Sequence, residues 1–325
     1  MNKPDPYAEL AAKIQFGHSE RIRKLWEMLC DEDEARLLLA MPGTAEELAA
    51  KTGRPAAEAA GMIDVLFKKG VAFESRSGWK MSRNFVQFHD ATILWREAPG
   101  EFLDLWKDFI DNEYPQVVEF LKTAGMKPFM RVIPVHRSVE AAAHVLPYEN
   151  AARMIADAHA LAVTKCTCRM TQRACGSPLE VCLQINRGAE YAVKRGSGRG
   201  VTKEEALEIL RISEEAGLVH LADNRPEAGH VLCNCCPCCC QVMEPLVKAG
   251  ARAIVAPSRF LAEVDAGTCT ACGECADRCH LGAVKVNDAA LVDAALCIGC
   301  GLCMTVCPSE SISMKEIRDT GFIGS

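Results

Sequence analysis

The chain has 325 residues, 49% hydrophobic and 25% charged, enough for two or three domains with apolar cores that need no cross-links to fold. Its net charge of −6 argues mildly against nucleic acid as the main partner, and no apolar run approaches the roughly 18 residues of a membrane span. Nineteen cysteines are an odd number containing adjacent runs, which suits disulfide pairing poorly.

The first residues lack a basic segment followed by an apolar one, so no secretory signal is expected. A cytoplasmic location follows, in which thiols stay reduced and are used for metals rather than disulfides. Only Cys30 precedes Cys166; the other eighteen cysteines lie between Cys166 and Cys307.

In chain order, residues 1–30 predict one or two helices with a broken apolar stripe of Leu10, Ile14, Ile22, Leu25, Trp26 and Leu29. DEDEARLLLAM is a short helix ended by Pro42-Gly43. Thr44 and Glu47 form a capping box that opens a second helix, which Gly53 closes. A third helix presents Ile63, Leu66 and Phe67 inward, and VAFESRSGWKMS alternates around Ser77-Gly78 as a hairpin. Three helices and a hairpin resemble a winged helix-turn-helix. DNA binding is not favoured, however. Thr44 to Arg83 carries seven Lys/Arg against five Asp/Glu, a thin surplus for phosphate contacts. The third helix also offers Ala56, Ala57, Ala59, Ala60 and Gly61 where base-reading side chains belong. A scaffold or homo-oligomer contact is the preferred reading of this half.

Residues 84–150 hold most aromatics, with Phe102, Leu105, Trp106 and Phe109 on one helical face, a core or interface stripe. The prolines of MKPFMRVIPVHRSVE predict an extended linker. Beyond it, Cys166, Cys168, Cys175 and Cys182 form one cysteine group, and VLCNCCPCCCQV supplies Cys233, Cys235, Cys236, Cys238, Cys239 and Cys240. Between them, Ser177-Pro178-Leu179-Glu180 predicts a helix over 178–194. Thr202 and Glu205 open another, with Leu207, Leu210 and Ile212 on its stripe and Gly217 at its end. The segment ARAIVAPSRFLAEVDA connects to the last domain.

Residues 269–280, CTACGECADRCH, and 297–308, CIGCGLCMTVCP, are an internal repeat of C-x2-C-x2-C-x3-C, offset by 28 residues. The repeat resembles the bacterial two-cluster ferredoxin domain over about residues 264–316. That resemblance implies one 4Fe–4S cluster on Cys269, Cys272, Cys275 and Cys307, and a second on Cys297, Cys300, Cys303 and Cys279. Zinc knuckles are the alternative, but zinc favours two separated C-x2-C pairs. His280 departs from the family's proline, and tolerance is the favoured reading. Eight acidic residues against four basic ones over residues 264–325 suit docking to a basic patch on a redox partner.

The ten middle thiols (Cys166 to Cys240) are expected to ligate one or two further iron–sulfur clusters. Zinc and dithiol redox chemistry are the alternatives. Adjacent cysteines point apart in extended chain, so the runs around Pro237 are expected to divide between two clusters, or between a cluster and free thiols. Lys165, Arg169 and Arg173 read as charge compensation for thiolate clusters, or else as contacts for an anionic substrate.

The expected fold class is α+β and multidomain. It comprises a helical, winged-helix-like unit over 1–90, an aromatic helical segment and linker over 91–140, a helical cysteine-rich domain over 141–263 and a ferredoxin-like domain over 264–325. The expected function is that of an anaerobe-type iron–sulfur electron-transfer protein or oxidoreductase component, with a flavoprotein or reductase as partner. Two other readings remain: a reductase with its own substrate site at a middle cluster or thiol, and a redox-sensing regulator. No G-x-G-x-x-G follows a strand and no phosphate loop is present, so no bound dinucleotide is implied. RGSGRG at 195–200 follows a helix and reads as a surface loop.

Overall fold

In the computed structural model, the structure describes residues 5–135, 145–146, 149–227 and 229–324. The chain divides into two compact units. The first comprises Met1–Tyr114 with Met170–Gln172 and Lys194–Ser197, and the second the remainder.

The first unit is built from α1 (Pro6–Lys13), α2 (Glu20–Leu29), α3 (Glu32–Ala40), α4 (Ala45–Thr52), α5 (Ala56–Lys68), the hairpin β1 (Ala72–Ser75) and β2 (Gly78–Met81), α6 (Phe85–Ile93) and α7 (Gly100–Asn112). The predicted capping box is formed: Thr44 Oγ1 accepts from the Glu47 N–H at 3.2 Å, and the Glu47 carboxylate accepts from the Thr44 N–H at 2.9 Å. Asp31 and Glu34 make a second one at the start of α3. Gly78 needs to be glycine. Its φ is 109°, and a Cβ there would lie 2.4 Å from the Gly43 carbonyl oxygen, where Gly43 and Trp79 exchange backbone hydrogen bonds. The aromatic stripe is core: Phe102, Trp106 and Phe109 are fully buried, and Trp26 stacks on Phe88 at 4.3 Å.

The second unit contains α8 (Tyr114–Thr123), which starts at the boundary, followed by β3 (Met130–Ile133), α9 (Ala151–Asp157), β4 (Leu161–Lys165), α10 (Thr167–Gln172, whose residues from Met170 on count with the first unit), β5 (Glu180–Ile185), α11 (Arg187–Arg195, whose last two residues do likewise), β6 (Gly198–Gly200), α12 (Lys203–Glu215), β7 (Val219–Asp223), β8 (Val231–Cys235), α13 (Met243–Ala249) and β9 (Val255–Ala256). Its centre is a seven-stranded sheet in the order β6-β4-β5-β8-β7-β3-β9, antiparallel except for β3 with β9.

Three expectations change here. The middle region, expected to be helical, is organised around this sheet. Residues 178–194 are not one helix. Val181, Leu183 and Ile185 are buried in alternation with Cys182 and Gln184, and that period of two outweighs the local capping signal. Only Arg187–Arg195 is helical. The expected linker contributes β3, whose Val132 and Ile133 are buried; its residues 136–140 lie outside the described residues. On α12, Thr202 caps as expected, but Leu207 and Ile212 are exposed, and Ala206, Ile209, Leu210 and Ser213 face inward.

Alternation along the strands divides the core in two. Val163, Leu183, Ala222 and Leu232 pack with α9 and α12, whereas Met130, Val132, Val219 and Leu221 pack with Met243 and Leu246 of α13. The second core also takes in Ile298 and Leu302 from the C-terminal region. That region comprises β10 (Phe260–Val264), paired antiparallel with β13 (Ile312–Glu316), the helix α14 (Glu274–Arg278) and the hairpin of β11 (Val284–Val286) and β12 (Ala290–Val292). The connecting segment is thus structured, and the fully buried Arg259 within it donates to both Glu149 carboxylate oxygens at 2.7 and 2.9 Å.

Candidate metal centres

No disulfide is formed among the nineteen cysteines. Cys30 stands apart, buried at the end of α2 with its thiol donating to the Trp26 carbonyl at 3.3 Å, and burial pushes that thiol's pKa up.

The C-terminal repeats fold as tight loops because glycine takes the left-handed positions. Gly273, Gly299 and Gly301 have φ of 89°, 66° and 76°. At Gly299 a Cβ would lie 2.1 Å from the Phe260 carbonyl oxygen, so no side chain fits. These loops bring the eight thiols into two sets of four. Cys269, Cys272, Cys275 and Cys307 line one small cleft with Ala290 and Ile312. Cys279, Cys297, Cys300 and Cys303 line another with Val219, Met243 and Leu302. Each set contains the reach-over cysteine of the opposite repeat. Backbone amides already point at sulfur: Ala290 N–H at Cys269, Ala283 N–H at Cys279 and Gly299 N–H at Cys297, at 3.3 to 3.4 Å, as cluster thiolates require. His280 is more than a tolerated departure. Its Nε2 donates to the Gly217 carbonyl at 2.6 Å, and Arg278 next to it donates to the Glu215 carbonyl at 3.1 Å. Proline at 280 could make no such bond.

The ten middle thiols form a set of four and a set of six. Cys175, Cys236, Cys238 and Cys239 have sulfurs all within 4.8 Å of one another. Of these, Cys175 to Cys239 is 3.8 Å and Cys238 to Cys239 is 3.9 Å. The other six form a chain of neighbours. Cys166 adjoins Cys168, Cys168 adjoins Cys240, and Cys240 and Cys233 both adjoin Cys235. Cys182 Sγ lies 4.0 Å from Cys233 Sγ. The division follows from strand geometry. Cys233 and Cys235, two residues apart on β8, face the same core as Cys168 and Cys240. Cys236 turns to the opposite core, and the turn through Pro237 returns Cys239 there.

Among Lys165, Arg169 and Arg173, only Arg169 is buried. Both its terminal nitrogens donate to the Asn234 carbonyl, at 3.2 and 3.1 Å. Burial opposes its charge, but the neighbouring sulfurs of Cys166, Cys236 and Cys235 hold its pKa above the usual value. Its contacts reach sulfurs of both sets. Sequence reasoning missed the polar support behind it. The fully buried His220 lies with Nδ1 2.5 Å from Asn234 Oδ1 and Nε2 3.2 Å from Glu214 Oε1, and Asn234 Nδ2 donates to the Val181 carbonyl at 2.5 Å. The asparagine enclosed by cysteines was the only signal available.

Electrostatics fit a metal centre in both sets. In the four-thiol set, burial works against ionising Cys175, but hydrogen bonds from Ser177 and neighbouring thiols bring it down to about 6. Burial and the other sulfurs push Cys239 up to about 11. In the six-thiol set, hydrogen bonds from Cys168 and Cys235 bring Cys240 down to about 6, while Cys235 is driven upward by its contacts with Cys233 and Cys240 and by burial. In each set one thiol is thus shifted toward its thiolate and a neighbour away from it, and a cation shared between the sulfurs would offset their crowded charge. A soft, thiolate-binding metal centre meets that requirement.

A family model described as a 4Fe-4S binding domain matches residues 290–313, the stretch that carries Cys297, Cys300, Cys303 and Cys307. Comparison with curated proteins and with solved structures gives no match. The matched domain, together with the clustered thiols, points to an iron–sulfur protein with an electron-transfer role.

Proposed function

We propose that the chain is an electron-transfer protein or oxidoreductase component with two ferredoxin-type 4Fe–4S clusters and two further iron–sulfur clusters in the cysteine-rich region. Cys269, Cys272, Cys275 and Cys307 would hold the first cluster, and Cys279, Cys297, Cys300 and Cys303 the second. Cys175, Cys236, Cys238 and Cys239 would hold a third, and the six-thiol set a fourth. Bound clusters supply reversible one-electron storage. The polypeptide keeps water from the inner sites, supplies N–H groups to the sulfurs, and sets Arg169 against thiolate charge.

The observation that carries this reading is the shared core. Cys168, Cys233, Cys235 and Cys240 pack in one apolar cluster with Cys300, Ile298 and Leu302, so the second ferredoxin-type set and the six-thiol set are neighbours. Carriers must be close for electrons to pass, and this packing provides it. A flavoprotein or reductase is the partner in this reading, and the three-helix and hairpin unit is a scaffold. Anaerobically purified protein is expected to contain about twelve to sixteen irons per chain. About eight irons with stoichiometric zinc would overturn the middle clusters.

A further inference from the structure

The six-thiol set contains two sulfurs more than one cube takes, and the fold indicates which two. Strand β5 pairs antiparallel with β8 through Leu183 to Leu232 and Gln184 to Val231. One step along the same register, Cys182 faces Cys233, with Sγ to Sγ at 4.0 Å. Opposed residues on antiparallel strands have Cα atoms about 4.5–5.5 Å apart, within the roughly 4.4–6.8 Å that a disulfide spans. The bond can therefore close by side-chain rotation, without moving the sheet.

Their surroundings also differ from those of the inner thiols. Cys182 and Cys233 are half-buried, as are Gln184 and Val231 beside them and also Cys166 and Cys168, whereas Cys235 and Cys240 are buried. Gln184 Nε2 donates to Cys182 Sγ at 3.4 Å, which fixes that sulfur beside its cross-strand partner. Cys233 adjoins Cys235 on its other side.

We propose that Cys182 and Cys233 are a redox-active dithiol that couples one-electron carriers to the two-electron reduction of an organic disulfide. The inference rests on the iron–sulfur reading above, with Cys166, Cys168, Cys235 and Cys240 as the cluster ligands of this set. The Cys182 thiolate attacks one sulfur of the substrate disulfide, its S–S bond breaks, and one thiol leaves after taking a proton. Cys233 then attacks Cys182 Sγ. The second substrate thiol leaves with a proton, and a Cys182–Cys233 disulfide remains. Two electrons from a low-potential one-electron donor, delivered singly, and two protons from solvent restore the dithiol. In sum, one disulfide gives two thiols for two electrons and two protons.

The test uses the anaerobic full-length holoprotein with glutathione disulfide as probe and dithionite as electron donor. After exposure to the probe, alkylation and digestion, mass spectrometry is expected to find the Cys182 and Cys233 peptides linked. After dithionite both should be alkylated, with iron content unchanged. Cys233→Ser is expected to trap glutathione on Cys182 and keep wild-type iron. The proposal is overturned if either Cys182→Ser or Cys233→Ser loses about four irons, which would make the residue a ligand, or if both thiols are alkylated and no linked peptide forms. A linked peptide in protein with about eight irons would support the dithiol while removing the middle clusters.

Discussion

Arg169 is the residue on which the middle region turns. Its guanidinium is buried, joined to the backbone between Cys233 and Cys235, and within reach of sulfurs from both sets. Lysine or glutamine could not repeat the two-pronged bond to one carbonyl while spreading charge toward thiolates. Arg169→Gln is expected to destabilise the protein by about 1–3 kcal/mol, through the Asn234 carbonyl losing charged donors in a buried place. It is also expected to lower iron retention in the middle region. Anaerobic denaturant titration and iron analysis check both effects, and retention of full iron and stability would show that the charge is dispensable.

At the level of elements, the ferredoxin-type loops are the most constrained pieces. Gly299→Ala puts a methyl group against the Phe260 carbonyl and Ser258 Oγ, at 2.1 and 2.2 Å, in a left-handed backbone. The loop must move, and Cys297 and Cys300 move with it. Loss of about four irons is expected, from the second set only, with the first retained; iron analysis with electron paramagnetic resonance separates the two. These loops were legible in the sequence because the spacing itself encodes a short, local geometry. The capped helices of the first unit were legible for the same reason, since Thr44 and Glu47 act within one turn. Strand β5 was not. The Ser177-Pro178 start mimics a helix cap, while the pairing of Leu183 with Leu232 joins residues far apart in sequence. The alternation Val181, Leu183, Ile185 was the signal that could have identified it. The four-thiol set was hidden similarly, because Cys175 meets Cys236 and Cys239 only once the sheet is assembled.

For the whole molecule, the question is where electrons enter and leave. Cys272 in the first ferredoxin-type set and Cys238 in the four-thiol set are exposed, whereas Cys303, Cys235 and Cys240 are buried. On the electron-transfer reading proposed above, these two exposed cysteines are the places for a partner to approach. The exposed Asp265, Glu274 and Asp277 share the sequence neighbourhood of Cys272, so that end should attract a basic partner by long-range steering. Neutralising the three together (Asp265→Asn, Glu274→Gln, Asp277→Asn) is expected to slow electron transfer to a basic c-type cytochrome about 10-fold at low salt. The difference should shrink toward 0.15 M salt or above, where the screening length falls to about 8 Å. Iron content should not change, because none of the three is a thiol or touches a cavity floor. Stopped-flow measurement over a series of salt concentrations checks this. Rates equal to wild type at low salt would mean that the acidic surface steers nothing, and would move the entry point to the Cys238 end.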